Sequence, residues 1–173
     1  MIIREAGPGE GDEIRTLLTA AYDQYAAAVP VAELFRRYLG GVTDLDGAAG
    51  RAVTLVADTG DRIAGTARYY PPGRASEVPE LPADWAWVRS VGVHPDARHG
   101  GVARELMAEC LRRATAGGAA VLCLHTVAFM PDAIRLYERL GYRREPALDL
   151  DIAEYYGVGG EMIALAYRLD LKS

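Results

Sequence analysis

Lysine, cysteine and long apolar runs are scarce in this sequence, and each scarcity excludes a class of protein. Of the 19 basic side chains only Lys172 is a lysine, so neither a Walker A loop nor a lysine Schiff base is expected. The two cysteines, Cys110 and Cys123, lie in apolar sequence and are too few for a disulfide framework or a zinc site. We expect two core thiols and no metal.

The remaining composition is that of an ordinary globular chain. No run reaches the ~18 apolar residues of a membrane span, and Arg4 and Glu5 interrupt the start before any signal-peptide stretch. We therefore expect a cytoplasmic protein with no membrane partner. The formal net charge is -5 and the basic residues are scattered, so no nucleic-acid partner is expected. With 173 residues, 50% of them hydrophobic, residues 1–173 are expected to form a single domain.

The pattern of apolar residues predicts a mixture of strands and helices. The predicted strands are residues 1–6, 51–58, 62–70, 85–93, 119–126, 142–151 and 161–171. The predicted helices are residues 9–28, 31–42, 101–116 and 131–141. The second helix is expected to end at Gly40 and Gly41. The helix over 101–116 is a crossover, which makes the two strands that flank it parallel.

The segment VHPDARHGGVARELM, residues 93–107, places paired glycines directly before the clearest amphipathic helix. The first amides of a helix lack partners and carry about half a positive charge, so this junction suits an anion. Gly100 and Gly101 let the backbone approach a phosphate, and Arg98 can donate from the flank. The spacing R-x-x-G-x-A is not G-x-G-x-x-G, so it favours a pyrophosphate and not a nicotinamide. Taken alone, the two glycines are explained equally well by a structural turn that binds no ligand.

Two segments in sequence order, residues 88–107 and MPDAIRLYERLGYRR at residues 130–144, make this chain similar to the GNAT superfamily of acyl-CoA N-acyltransferases. A narrower likeness, to bacterial members that act on small amines, rests on LHT followed by AIRLYERLGY. The resemblance implies an α/β (α+β) fold in one acyl-CoA N-acyltransferase domain. Its sheet is expected to be mixed and mostly antiparallel, with six or seven strands, helices on both faces and a parallel pair that splays apart at the coenzyme cleft.

The resemblance also implies acetyl-CoA as co-substrate and assigns residues to it. Backbone groups of Val91, Gly92 and Val93 are expected to bond the pantetheine amides, with a bulge at Gly92. Thr126 is expected to compensate for Met130, which stands where relatives often have an asparagine. The pyrophosphate is expected on the segment Arg98, His99, Gly100, Gly101, Val102 and Ala103.

For catalysis, the resemblance assigns the proton donor to Tyr137 and the oxyanion contact to a backbone N–H of Val91 or Val93. The alternative for Tyr137 is a core aromatic at helical spacing. Trp87 stands where many relatives carry a glutamate base. The general base therefore stays open, and the candidates are His125, Asp149, Asp151, a water chain, or an amine of low pKa. The alternative for His125 is a hydrogen-bonded core histidine.

The segments that approach the acceptor in the family are rich in aromatic and acidic residues. These are Tyr22, Tyr25, Phe35, Tyr38, Glu77, Glu80, Trp85, Asp149, Asp151, Glu154, Tyr155 and Tyr156. Aromatic rings with carboxylates suit an organic cation; the alternative is that the rings pack the core and the acids are solvated. The expected substrate-binding residues are Tyr25, Tyr38, Trp87, His125 and Asp149.

The expected function is direct transfer of an acetyl group from acetyl-CoA to an amine of a small molecule or peptide. The alternative is a non-catalytic acyl-CoA-binding module, a sensor or regulator, that kept the coenzyme cleft and lost the base. Family members often form a homodimer, and nothing in the sequence fixes the assembly.

Overall fold

The computed structural model of the protein describes residues 1–74 and 81–171. Glu77, Glu80 and Lys172 lie outside the described residues. The helices are α1 (Gly11–Asp23), α2 (Ala32–Thr43), α3 (Val102–Ala116), α4 (Pro131–Arg139) and α5 (Ile152–Tyr156). The strands are β1 (Ile2–Glu5), β2 (Val53–Asp58), β3 (Ile63–Tyr70), β4 (Trp85–Val93), β5 (Val121–Val127), β6 (Arg143–Arg144), β7 (Leu150–Asp151) and β8 (Ile163–Asp170).

The strands within the described ranges form one eight-stranded sheet in the order β1-β2-β3-β4-β5-β8-β6, and β7 also pairs with β8. All pairs are antiparallel except β4 with β5. The mixed, mostly antiparallel sheet is confirmed. The expected six or seven strands become eight because residues 142–151 do not form one strand. Pro146, which has no backbone N–H, begins a short 3-10 turn that separates β6 from β7.

Helices cover both faces of this sheet. On one face α3 buries Leu106, Met107 and Cys110 against the strands. On the other face α1 and α2 bury an apolar stripe that includes Leu18 and Leu34. Both cysteines are buried and unpaired with each other, and burial raises the pKa of each thiol to about 12. The prediction of two core thiols is confirmed.

The parallel pair β4 and β5 separates halfway along its length. The two strands pair only from Trp85 opposite Val121 to Val88 opposite Leu124. Both continue beyond this point, and β5 remains paired with β8 as far as Val127. The predicted splay is confirmed, and it opens the sheet beside the N-terminus of α3.

A bulge interrupts β4 just past the separation, but not at the predicted residue. Arg68 of β3 lies opposite Arg89, and Thr66 lies opposite Gly92, so one residue of β3 faces both Ser90 and Val91. Ser90 takes the left-handed φ of 53°. The bulge therefore lies one to two residues before Gly92, the residue at which the sequence predicted it. Gly92 instead allows close packing of α1, because a β-carbon there would lie 2.9 Å from Cδ2 of Leu18.

Helix α2 passes through Gly40 and Gly41, where the sequence predicted its end, and stops at Thr43. The cause is Arg68, which is 1% exposed. Its guanidinium donates to the carbonyls of Gly41 and Asp44, and to that of Val42, at 3.2, 2.5 and 2.5 Å. A buried cation thus satisfies the last carbonyls of the helix.

None of the helices in the described ranges has both the length and the apolar character needed to cross a bilayer.

The close packing of α3 on β3 can be tested at Gly65. A β-carbon there would lie 2.5 Å from Cγ1 of Val102 and 3.0 Å from the carbonyl oxygen of Gly92. Gly65→Ala should lower the free energy of unfolding by about 1–3 kcal/mol, because the added methyl overpacks this contact. Urea unfolding measures the change.

Gly40→Ala is the matched control, since a β-carbon there meets no atom within 4 Å. Inside a helix this change should raise the unfolding free energy by about 0.5–1 kcal/mol. Unchanged stability of Gly65→Ala would contradict the described packing.

Candidate active site

A cleft of about 890 Å³ opens where β4 and β5 separate. Its walls come from α1, α2, β4, β5, the start of α3 and α4. Two groups of residues contribute to the lining. One is a glycine loop, residues 98–101, of which Arg98, His99 and Gly101 line the cleft, and the other is a tyrosine group, which consists of Tyr22, Tyr25, Tyr38 and Tyr137.

The glycine loop delivers backbone amides to the cleft. His99 and Gly101 both take left-handed φ values, 64° and 79°. Gly101 is the N-cap of α3 and provides no side-chain acceptor, so the first amides of the helix are left for a ligand. Gly101, Val102 and Ala103 all line the cleft. This geometry fits a pyrophosphate.

Gly100 and Arg98 both help to fix the conformation and position of the glycine loop. Gly100 is not among the lining residues; a β-carbon there would lie 3.3 Å from the carbonyl of Ala97, so the residue serves the turn itself. Arg98 lines the cleft and donates to Oε1 of Gln24 at 3.1 Å and to the carbonyl of Ala21 at 3.2 Å. These bonds leave further N–H donors on the guanidinium. The loop is thereby attached to the end of α1.

The bulged part of β4 forms the floor. Val91, Gly92 and Val93, whose backbone is expected to bond the coenzyme, line the cleft. The carbonyl of Val91 accepts a hydrogen bond from the Tyr22 hydroxyl at 3.0 Å. Burial raises the pKa of Tyr22 to about 12, so it stays protonated and can donate. This bond fixes the peptide after Val91.

Thr126 carries an unsatisfied polar atom at the same place. Its hydroxyl is buried and has no hydrogen-bond partner among the described residues, yet Thr126 lines the cleft. Buried hydroxyls normally have a partner, so a bound polar group is expected to supply it. Met130 also lines the cleft. The position of Thr126 fits the predicted role in coenzyme binding.

His125 has both ring nitrogens engaged. Nε1 of Trp87 can only donate, and it lies 3.3 Å from Nδ1 of His125. The ring proton is therefore on Nε2, which lies 2.9 Å from the carbonyl oxygen of Leu148. Burial lowers the pKa of His125. The ring is neutral, its lone pair is occupied, and the geometry favours a hydrogen-bonded core histidine over a base.

The two aspartates proposed as bases are also engaged elsewhere. Both carboxylate oxygens of Asp149 accept from Arg144 at 2.8 Å, and one accepts from the amide of Ala166. Burial opposes ionisation of Asp149, but the Arg144 bonds outweigh it and lower the pKa. Asp151 caps α5 by accepting from the amide of Glu154. Neither lines the cleft.

Tyr22, Tyr25 and Tyr38, expected near the acceptor, lie together at the cleft, whereas the described acids of that set, Asp149, Asp151 and Glu154, do not line it. Tyr22 packs on Tyr25 and Tyr38 with ring centroids 6.3 and 6.1 Å apart. Phe35 is in the core, whereas Tyr155 is exposed. Other expected contacts also lie off the cleft lining: Trp85, Trp87, Asp149, Asp151, Glu154 and Tyr156. Among the described lining residues the only carboxylate is Asp132, which is ion-paired with Arg135.

Sequence reasoning missed Arg89, which lines the cleft beside the tyrosine group. The available signal was a lone arginine inside the otherwise apolar strand WAWVRSVGV. Tyr137 of α4 is buried at the cleft wall, and burial raises its pKa far above the usual value for a tyrosine. Among the described residues no cluster of three or more histidine, cysteine or acidic side chains can hold a metal.

Residues 12–142, most of the chain, match the model of the acetyltransferase (GNAT) family. The chain belongs to the GNAT family of acetyltransferases. No curated protein matches the sequence.

Solved structures of GNAT proteins share its fold. The ribosomal-protein-S18-alanine N-acetyltransferase of Escherichia coli is 20% identical over 99% of this chain and 94% of its own, with a TM-score of 0.67. A GNAT family acetyltransferase from Brucella melitensis in complex with acetyl-CoA is 21% identical over 99% and 88%, with a TM-score of 0.62. A Bacillus subtilis acetyltransferase in complex with CoA is 16% identical over 98% of both chains, with a TM-score of 0.68. At these identities the likeness establishes the GNAT fold.

The state of His125 can be checked by nitrogen-detected NMR of the imidazole rings, with His125→Gln used to assign its signals. At pH 7 the ring should be the neutral Nε2–H tautomer, and its titration midpoint should lie below the usual value of about 6.5. Because the pKa of His125 is lower in the folded state, the neutral ring contributes fully to stability above the unfolded pKa of about 6.5. This contribution is lost as pH falls through the folded pKa. An Nδ1–H tautomer would overturn the assignment.

Proposed function

We propose that this GNAT protein is an N-acetyltransferase that moves an acetyl group from acetyl-CoA directly to an amine. The observation that carries the proposal is that one cleft connects the start of α3, the bulged strand β4 and Tyr137. A thioester needs all three: an anion site, backbone donors and a proton source.

The coenzyme would be held by backbone and by few side chains. The amides of Gly101, Val102 and Ala103 would receive the pyrophosphate, with positive charge from Arg98 beside them. Backbone groups of Val91 and Val93 would bond the pantetheine amides. Thr126 would gain the partner that its hydroxyl lacks among the described residues.

In the transfer itself, the neutral amine nitrogen attacks the thioester carbonyl carbon. A C–N bond forms, the C–S bond breaks, and the amine loses one proton to water. A backbone N–H of Val91 or Val93 would stabilise the negative charge on the carbonyl oxygen. Tyr137 would donate its proton to sulfur as the C–S bond breaks and would regain a proton from water, so the proton that the amine releases balances the one that the thiolate receives. The burial that raises the pKa of Tyr137 would also raise the pKa of a coenzyme thiol beside it, so the two pKa values would stay close enough for proton transfer.

A second candidate, the non-catalytic acyl-CoA-binding module, is favoured by the engaged state of the expected bases. His125 is bonded on both nitrogens and Asp149 is ion-paired. Release of free thiol from acetyl-CoA in the presence of an amine distinguishes the enzyme from the module.

Coenzyme binding is tested by thermal unfolding. A ligand at about 100 times its Kd stabilises the fold by about 2.7 kcal/mol, which corresponds to a rise in Tm of about 5 °C or more for a chain of this size. Millimolar acetyl-CoA and free CoA should both produce this rise. ATP, which lacks pantetheine, is the control for general phosphate binding. No rise with acetyl-CoA or CoA would rule out both candidates.

The role of Tyr137 is tested with a matched pair of substitutions. Tyr137→Phe should lower kcat by about 10- to 100-fold and leave the acetyl-CoA Tm shift unchanged, because only the proton donor is lost. Tyr142→Phe is the control. Its ring lies 5.9 Å from that of Tyr137, and its buried hydroxyl has no partner among the described residues. A fully active Tyr137→Phe enzyme would show that another group protonates the thiolate.

A further inference from the structure

One hydrogen bond joins α1 to the bulged strand at the point where the sheet opens. We propose that Tyr22, the donor of this bond, is a positioning residue for acetyl transfer. By binding the carbonyl of Val91, its hydroxyl fixes the open edge of β4 so that an N–H of Val91 or Val93 contacts the thioester carbonyl oxygen. This inference rests on the proposed acetyl transfer and adds a residue of α1 to it.

The direction of the Val93 backbone follows from its neighbours in the sheet. The amide of His94 donates to the carbonyl of Ala64 at 2.8 Å. In an antiparallel pair, residues that exchange hydrogen bonds with the partner strand alternate with residues that do not. Val93 lies opposite Gly65, one position before this bond, so its N–H and C=O point away from β3. Parallel pairing with β5 has ended at Val88, and Val93 lines the cleft. Its backbone therefore faces the opened side of the sheet.

The carbonyl of Val91 points to the same side. Val91 lies two positions before Val93, and its carbonyl accepts at 3.0 Å from Tyr22, which also lines the cleft. A trans peptide points its C=O and its N–H in opposite directions, so this bond also directs the N–H of Gly92 toward β3. There Gly92 lies opposite Thr66. Tyr22 thus sets the peptide plane directly after the bulge, where the extra residue disrupts the ladder.

Packing holds the Tyr22 hydroxyl in place. A β-carbon on Gly92 would lie 2.9 Å from Cδ2 of Leu18, so α1 packs directly on β4. Tyr22 follows Leu18 by four residues, which puts both side chains on one face of the helix. The Tyr22 residue is 8% exposed, and its ring packs against those of Tyr25 and Tyr38. The hydroxyl therefore has little freedom to leave the carbonyl.

The bond also changes the charge that the thioester oxygen meets. Negative charge develops on that oxygen in the transition state, where an N–H donor stabilises it and a neighbouring carbonyl oxygen repels it. The Tyr22 proton offsets the negative end of the Val91 carbonyl. Burial raises the pKa of Tyr22 to about 12, so the hydroxyl remains a donor at neutral pH. The open edge thus presents donors beside an acceptor that is already satisfied.

Infrared spectroscopy of bound acetyl-CoA, isotope-labelled at the carbonyl carbon, tests this arrangement without an acceptor amine. A hydrogen bond polarises the thioester C=O, so its band in wild type should lie at lower wavenumber than in free acetyl-CoA. Tyr22→Phe removes only the hydroxyl and should move the band back toward the free value. Replacement of Tyr22 by meta-fluorotyrosine, a stronger hydrogen-bond donor, should move the band further from the free value.

Kinetics give a second readout, with phenethylamine and an alanine-initiated tripeptide as acceptor probes. Tyr22→Phe should lower kcat by about three- to tenfold, the scale of one neutral hydrogen bond, and change the KM for acetyl-CoA by less than about twofold. A role in acceptor binding would instead raise the KM of the amine and leave kcat unchanged.

Thr66→Val is the matched control. It removes a buried hydroxyl that donates to the carbonyl of Leu55 at 2.8 Å, and Thr66 is not among the described residues that line the cleft. The variant should therefore lose stability, as Tyr22→Phe does, but keep the wild-type band and kcat. The acetyl-CoA Tm shift of each variant checks that it is folded and binds coenzyme.

The outcomes separate this inference from the proposed function. The same band in wild type and in Tyr22→Phe, with acetyl-CoA bound to both, would overturn the positioning role and leave acetyl transfer intact. An unchanged kcat with a raised KM for the amine would do the same. If Tyr22→Phe does not fold, the fluorotyrosine variant decides the question, because it retains the bond. Acetyl-CoA binding without thiol release for any amine would instead overturn the transferase proposal.

Discussion

Parallel pairing between β4 and β5 stops at Val88 and Leu124, and the backbone beyond this point must find other partners. Part of the demand is met from outside the strand pair: the hydroxyl of Tyr22 donates to the carbonyl of Val91. The remaining backbone groups of the separated strands face a gap, and the first amides of α3 face the same gap. Two local deficits of hydrogen bonding, an opened sheet and an uncapped helix, thus coincide in one cleft.

A buried arginine fixes the shape of this gap. Arg68 donates to the last carbonyls of α2 and to the hydroxyl of Ser90 in the bulge, at 2.5 Å for the latter. It therefore ties the helix behind the tyrosine group to the strand that forms the floor. Because its bonds join segments that are distant in sequence, the wall and floor of the cleft are set by one side chain of the core.

Local patterns predicted most of the fold, and non-local contacts account for the failures. The period of the apolar stripe identified α3, and the run of apolar residues identified β5, because both depend on neighbours in sequence. The end of α2 was missed because its cap, Arg68, comes from β3. The position of Asp149 was missed for the same reason, because this residue is ion-paired with Arg144 across a turn. Side-chain partners of this kind leave no periodic signal, so composition alone placed Asp149 at a cleft that it does not line.

The last turn of α1 serves both halves of the cleft. The carbonyl of Ala21 accepts from Arg98 of the glycine loop, and the next residue, Tyr22, holds β4 through Val91. The glycine loop and the bulged strand are thus attached to adjacent residues of a single helix. A displacement of that turn would move both of these cleft walls together.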